Sequence, residues 1–82
     1  MSVFEMYEMA EDAARRVGLR PYLRESVSGP LGEFIGIRIE AERSDGRRVW
    51  SEFDLDIFDG DEHATRALLV HEWRSLRDYP AR

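Results

Sequence analysis

The residues FIGIRIEAER (34–43) and VWSEFDLDIF (49–58) decide how this chain folds. In both stretches apolar and polar side chains alternate, and the side chains of a β-strand point in turn to its two faces. The pattern therefore predicts two strands, each with one apolar and one polar face. Between them, Ser44-Asp45-Gly46 has the composition of a turn, so the strands are predicted to form an antiparallel hairpin.

The length of the turn fixes which residues of the hairpin face each other. A two-residue loop would pair Ile39 with Glu52 and would mix apolar with acidic side chains on one face. A three-residue loop, with Gly46 in the left-handed conformation, places apolar residues opposite apolar residues and bases opposite acids. We therefore predict the three-residue loop. Its predicted pairs are Ile35 with Leu55, Ile37 with Phe53, Arg38 with Glu52, and Glu42 with Arg48.

The residues before the hairpin predict a helix followed by a short strand. Apolar side chains recur at helical spacing over residues 3–17. Ser2 and Glu5 match a capping box at the start of this helix, and Gly18 is a typical residue just beyond a helix end. A strand is then predicted over Tyr22–Val27.

The residues after the hairpin predict a second helix from about Asp61 to Asp78, with Asp59 or Asp61 as its N-cap. The order of elements is then α-β-β-β-α. We predict a single α+β domain over residues 1–82, in which both helices pack on the apolar face of a three-stranded antiparallel meander. The opposite face of the sheet, called the open face below, is predicted to be exposed to solvent. The aromatic residues expected on or beside the open face are Tyr22, Phe34, Trp50 and Phe58.

The composition argues against several functions. The chain of 82 residues has 12 basic and 17 acidic residues, a net charge of −5 and no cysteine. Without cysteine there is no disulfide, no thiolate metal site and no thiol chemistry. The negative net charge argues against direct binding to nucleic acid or to an anionic membrane. The chain begins without the basic and apolar segments of a secretory signal, so we expect a cytoplasmic protein, either a monomer or a homodimer.

Catalytic and metal-binding patterns are weak in this sequence. His63 and His71 are eight residues apart, which is about 12 Å along a helix and too far for a shared site. Asp54, Asp56 and Gly60 do not have the spacing of an EF-hand loop. We therefore predict a protein that is not an enzyme and needs no cofactor, with a metal-dependent domain as a weaker hypothesis.

The strongest functional signal is a run of acidic residues, without any base, from Glu52 to Glu62. Alternate residues of a strand are about 6.8 Å apart, so acids at alternate positions form a regular row of charge. Exposed aromatic side chains beside this row can anchor a protein partner. The predicted partner is a protein with a basic, nucleic-acid-binding surface. The predicted binding residues are Phe34, Trp50, Glu52, Asp54, Asp56, Asp59, Asp61 and Glu62.

In size, acidity and lack of a catalytic constellation, the chain resembles small phage-encoded inhibitors of the anti-CRISPR type. Several of those are compact acidic α/β domains that block the nucleic-acid site of a CRISPR effector. The resemblance implies a partner with a channel lined by Arg and Lys, and no cofactor. The order of elements also resembles double-stranded-RNA-binding domains. Residues 59–62 (DGDE), however, stand where that family has the basic cluster that grips phosphates.

Two alternatives to an acidic binding surface follow from the same residues. In the first, the carboxylates only keep an edge strand soluble and bind no partner. In the second, the chain is a structural module that forms a homodimer through the open face or through an edge strand, with Phe34 and Trp50 in the core of the interface.

Overall fold

The computed structural model describes residues 1–80 and confirms the predicted order of elements. The strands form one antiparallel sheet in the order β1-β2-β3. Both helices pack on the same apolar face, with α1 against β1 and β2, and α2 against β3 and α1. The elements are α1 (Val3–Arg16), β1 (Arg20–Ser28), β2 (Phe34–Glu42), β3 (Arg48–Asp54), a 3₁₀ helix (Leu55–Phe58) and α2 (Glu62–Asp78).

The predicted helix caps are present. At the start of α1 the backbone N–H of Glu5 donates to Ser2 Oγ (3.1 Å), and the N–H of Ser2 donates to Glu5 Oε1 (3.0 Å). Asp61 is the N-cap of α2, and its carboxylate accepts from the N–H of Ala64 at 3.1 Å. These bonds satisfy backbone donors that the first turn of a helix cannot pair, so they fix where each helix begins.

The hairpin has the predicted three-residue loop. Gly46 has a φ of +86°, in the left-handed region that favours glycine, and its N–H donates to the carbonyl of Arg43 at 3.0 Å. The N–H of Arg43 donates to the carbonyl of Arg47 at 2.8 Å and closes the loop. The register follows, and three of the four predicted pairs are confirmed, namely Ile37 with Phe53, Arg38 with Glu52, and Glu42 with Arg48.

The fourth predicted pair, Ile35 with Leu55, is wrong because β3 ends at Asp54 and the next residues form the 3₁₀ helix. A 3₁₀ helix has about three residues per turn, so Leu55 and Phe58 lie on the same side of it. Leu55 packs against the core and Phe58 is only 5% exposed, which corrects the expectation that Phe58 lies on the open face. A continued strand would have turned these two side chains to opposite faces.

Two β-bulges, at Tyr22 and Ile35, change the pairing of β1 with β2. The second bulge reverses the alternation of side chains at the start of β2. As a result Phe34 is half-buried against the core, whereas Ile35 is 40% exposed. The alternating pattern predicted the opposite orientation, so the expectation of Phe34 on the open face is wrong.

The first strand is longer than predicted, since β1 begins at Arg20 and includes Pro21. A proline is tolerated in an edge strand where its missing N–H would have faced solvent.

The centre of the core is the side chain of Trp73 in α2, which is fully buried. Its ring meets the ring of Phe53 in β3 edge to face, with 5.6 Å between centroids. Its indole Nε1 donates to the carbonyl of Ala10 in α1 at 2.9 Å. Trp73 therefore joins both helices to the sheet and leaves the open face as the surface on which β2 and β3 present their polar side chains.

Candidate protein-binding surface

The acidic strip consists of six carboxylates that extend from the end of β3 over the 3₁₀ helix to the start of α2. All six side chains are exposed. Two lie at the end of β3 on the open face, one lies on the 3₁₀ helix, and three lie at or just before the start of α2. They are, in order, Glu52, Asp54, Asp56, Asp59, Asp61 and Glu62. The sequence placed Asp56 on a strand face, and its place on the 3₁₀ helix follows from the early end of β3.

Three carboxylates of the acidic strip have partners within the chain. Asp61 is engaged by the N-terminus of α2. The other two form ion pairs that are exposed, and such pairs contribute little to stability. These pairs are Glu62 Oε1 with Arg66 Nη2 at 3.0 Å, and Glu52 Oε2 with Arg38 Nη1 at 3.7 Å.

The remaining three carboxylates of the strip are Asp54, Asp56 and Asp59. Among residues 1–80, none of the three forms a side-chain hydrogen bond or an ion pair. Asp54 is also the residue before the 3₁₀ helix, but its carboxylate makes no capping bond there. These charges are therefore exposed and can be taken up by a cationic partner without breaking a contact within the described part of the chain.

Trp50 lies on the open face, on the side opposite the helices, and is half-buried. The guanidinium of Arg38 stands over its ring at 4.0 Å from the centroid, within the range of a cation–π contact. The same guanidinium bonds Glu40 Oε2, with Nη2 at 3.1 Å. Trp50 thus borders the acidic strip beneath an arginine, and it is less exposed than the sequence suggested.

The rest of the open face is a charged network that the sequence analysis did not describe. The hydroxyl of Tyr22 donates to Glu40 Oε1 at 2.9 Å. This bond lowers the pKa of Glu40, while partial burial together with the bond raises the pKa of Tyr22. Arg48 stands 5.4 Å from the centroid of the Tyr22 ring. The confirmed hairpin register already placed Arg38 diagonally across from Trp50, but the position of Tyr22 depends on the bulge in β1.

Other parts of the described surface offer no stronger site. A groove of about 330 Å³ between α1 and α2 has an apolar floor and is bordered by Arg16, His63 and Arg66. Within the described range, no group of three or more His, Asp or Glu side chains converges closely enough to hold a metal ion.

No helix of residues 1–80 is both long enough and apolar enough to cross a lipid bilayer.

Comparisons with protein-family models, with curated proteins and with solved structures find no match to this chain.

Proposed function

We propose that this protein is a cytoplasmic, non-enzymatic inhibitor that binds a basic protein surface through the acidic strip. The observation that carries the proposal is the state of Asp54, Asp56 and Asp59, which are exposed and have no side-chain partner among residues 1–80. Asp61 and Glu62, in contrast, are engaged within the chain, Asp61 by capping α2 and Glu62 by pairing with Arg66.

The charge of the strip favours one class of partner. A channel that binds nucleic acid is lined with Arg and Lys, and a row of carboxylates can occupy the place of the phosphates. Charge complementarity of this kind speeds the encounter and selects the partner. In this role the protein would act as small phage-encoded inhibitors of the anti-CRISPR type do, by denying a nucleic-acid-binding protein its ligand.

Trp50 would contribute at the border of this interface. Its ring already accepts one guanidinium, from Arg38, so it can accept an arginine of the partner in the same way. The ion pair of Arg38 with Glu52 is long, at 3.7 Å, and half of the Glu52 side chain is exposed. A partner arginine could take over the pairing with Glu52 at little cost, because exposed ion pairs are weak, while Arg38 keeps its two bonds to Glu40.

A homodimer through the open face has less support than the inhibitor. The face is covered by the network of Tyr22, Arg38, Glu40 and Arg48, and a dimer core there would have to bury these charges. Phe34, which was expected in such a core, packs against the apolar side of the sheet instead.

The test replaces three carboxylates of the strip by amides, in the variant D54N/D56N/D59N. A panel of nucleic-acid-binding proteins, CRISPR effectors included, is assayed for loss of nucleic-acid binding in the presence of the protein. We expect the parent to inhibit a member of the panel and the variant to inhibit it about tenfold less well, since exposed pairs contribute about 0.2–1 kcal/mol each. Inhibition by the parent should also weaken as salt is raised.

The matched control for this test is E8Q/D12N/E25Q, which changes the net charge equally at acids outside the strip; Glu25 is exposed, and Glu8 and Asp12 are half-buried and pair with arginines. The control should inhibit like the parent. Equal inhibition by the parent and D54N/D56N/D59N would show that the strip does not bind the partner. Equal weakening in both variants would show that only the total charge matters.

A further inference from the structure

The groove between α1 and α2 differs in charge from the rest of this acidic protein. No acidic side chain is among the described residues that line it, although the chain has a net charge of −5. The apolar part of the lining consists of Ala13 in α1 and of Ala67 and Val70 in α2. The volume of about 330 Å³ is near the lower end of the range for small-molecule sites, about 300–1,000 Å³. The groove therefore has the size and lining for a small ligand with an apolar part.

Three side chains that can carry a positive charge border the same groove, namely Arg16, His63 and Arg66. Within residues 1–80, the side chains of Arg16 and His63 form no hydrogen bond, ion pair or ring contact. Arg66 pairs with Glu62 at 3.0 Å, in an exposed ion pair of the kind that contributes little to stability. An anion in the groove would thus meet the guanidinium of Arg16, which has no carboxylate partner to give up.

Helical spacing brings the apolar and the cationic groups together. In α2, His63, Ala67 and Val70 follow one another at intervals of four and three residues, so they lie on one face of the helix. In α1, Ala13 and Arg16 are three residues apart and border the groove from the other side. Because α1 and α2 pack against each other, two helices and not a loop hold this arrangement.

The chemistry of the lining favours a carboxylate with an aliphatic tail. A guanidinium can donate two parallel hydrogen bonds to one carboxylate, which makes arginine well suited to bind this group. The described lining residues include no Phe, Tyr or Trp ring on which a nucleobase or an aromatic acid would stack. Inorganic phosphate would leave the apolar part of the groove uncovered, whereas an aliphatic tail would remove it from water.

We propose that the groove between α1 and α2 binds a small aliphatic carboxylate, whose charged group pairs with Arg16 beside His63 and whose tail covers Ala13, Ala67 and Val70. The inference goes beyond the proposed function and does not depend on it, because no residue that lines the groove belongs to the acidic strip.

The test uses three probes that separate charge from tail. Octanoate has both, octan-1-ol has the tail without the charge, and acetate has the charge without the tail. Binding is followed through the backbone amide signals in ¹H–¹⁵N NMR spectra during titration. We expect octanoate to shift the amides of residues 13–16 and 63–70 and to bind at least tenfold more tightly than octan-1-ol or acetate.

Two variants change the groove itself. R16Q should weaken octanoate binding about tenfold, since it removes a charge-assisted hydrogen bond. A67L should weaken it as well, because leucine occupies the groove while every charge stays in place. R47Q, which removes one positive charge in the hairpin loop, is the matched control and should bind octanoate like the parent.

The acidic-strip variant D54N/D56N/D59N should bind octanoate at least as well as the parent, so the failure of the proposed function would leave this result unchanged. Circular dichroism should show that R16Q, A67L and R47Q stay folded, because the three substituted side chains are exposed. Octanoate that shifts no amide of the groove at millimolar concentration would overturn the proposal. Binding of octan-1-ol as tight as that of octanoate, or equal weakening in R16Q and R47Q, would do the same, since the groove would then not recognise a carboxylate.

Discussion

At the scale of single residues, Thr65 shows how this small domain uses a buried polar group. Its side chain is 2% exposed, and its hydroxyl donates to the carbonyl of Ile57 at 2.8 Å. The bond ties the first turn of α2 to the 3₁₀ helix that carries Asp56. In the part of the chain that the structure describes, no buried side-chain polar atom lacks a partner. A buried polar atom without a hydrogen bond destabilises the fold. Each hydrogen bond to such an atom therefore also holds in place the segment that provides the partner.

We predict that Thr65→Val lowers the free energy of unfolding by about 1–2 kcal/mol, because it leaves the carbonyl of Ile57 without its donor in a nearly isosteric site. The measurement is urea denaturation of the parent and the variant. Thr65→Ser is the matched control, since it keeps the hydroxyl and loses only a methyl group. If Thr65→Val is as stable as the parent, the hydrogen bond does not hold the 3₁₀ helix in place.

At the scale of elements, α1 is fastened to β1 through Arg24, which pairs closely with Glu11 and more distantly, at 3.7 Å, with Glu8. Arg24 in β1 donates through Nε and Nη2 to the two carboxylate oxygens of Glu11 in α1, at 3.0 and 2.6 Å. The rings of Phe4 and Tyr7 lie 5.4 and 5.0 Å from the same guanidinium. Glu11 is buried whereas Arg24 is partly exposed, so the carboxylate depends on the arginine for its charge.

We predict that Arg24→Leu lowers the melting temperature by several degrees, because it leaves the buried Glu11 carboxylate with only the longer contact to Arg15, at 3.8 Å. The double variant R24L/E11L should be more stable than R24L, since an apolar pair replaces the buried charge. Thermal unfolding of the parent, both single variants and the double variant measures the coupling. If the melting temperature of the double variant falls by the sum of the decreases in the two single variants, Arg24 and Glu11 are not coupled.

At the scale of the whole molecule, stability depends on acids whose pKa is lowered by folding. The pKa of Glu5 falls because it accepts from the N–H and hydroxyl of Ser2, and that of Glu40 because it accepts from Tyr22. The pKa of Asp45 is lowered by the backbone N–H of Arg47, and the pKa of Asp78 is lowered by the guanidinium of Arg77. A carboxyl with a lowered pKa stabilises the fold above its ordinary value, and this stabilisation is lost as the pH falls through the folded value.

We therefore predict a melting temperature that is nearly constant from pH 7 to about pH 5 and that falls below the ordinary pKa values of 4.5 for Glu and 3.8 for Asp. At alkaline pH the relevant group is Tyr22, whose pKa is raised by folding. Its neutral hydroxyl stabilises the fold below the ordinary pKa of 10.0, and this stabilisation is lost at higher pH. Scanning calorimetry across pH measures both limits. Tyr22→Phe should remove the contribution of this tyrosine above pH 10 and bring the pKa of Glu40 closer to 4.5. An unchanged pKa of Glu40 in this variant, followed by NMR, would contradict the assigned cause.

The sequence by itself determined the helix caps, the register of the hairpin and the exposure of the acidic strip. The caps depend on neighbouring residues, and the register depends on the two-residue alternation of side chains along a strand. Capping at Ser2 and Asp61 needs only side chains within one helical turn. The hairpin register follows from Gly46 and from the alternation of β2 and β3. The exposure of the acidic strip follows from the cost of burying carboxylates that have no partner, whatever the local backbone does.

Only the tertiary structure decided where that alternation stops. Phe58 and Leu55 both pack against the core because the 3₁₀ helix at the end of β3 places them on one side. The bulge at Ile35, which turns Phe34 toward the core, comes from the pairing of β2 with a distant strand. The hairpin register makes Arg38 and Trp50 diagonal neighbours, but the bond from Tyr22 to Glu40, beside them, depends on the bulge in β1 and so on packing across the sheet.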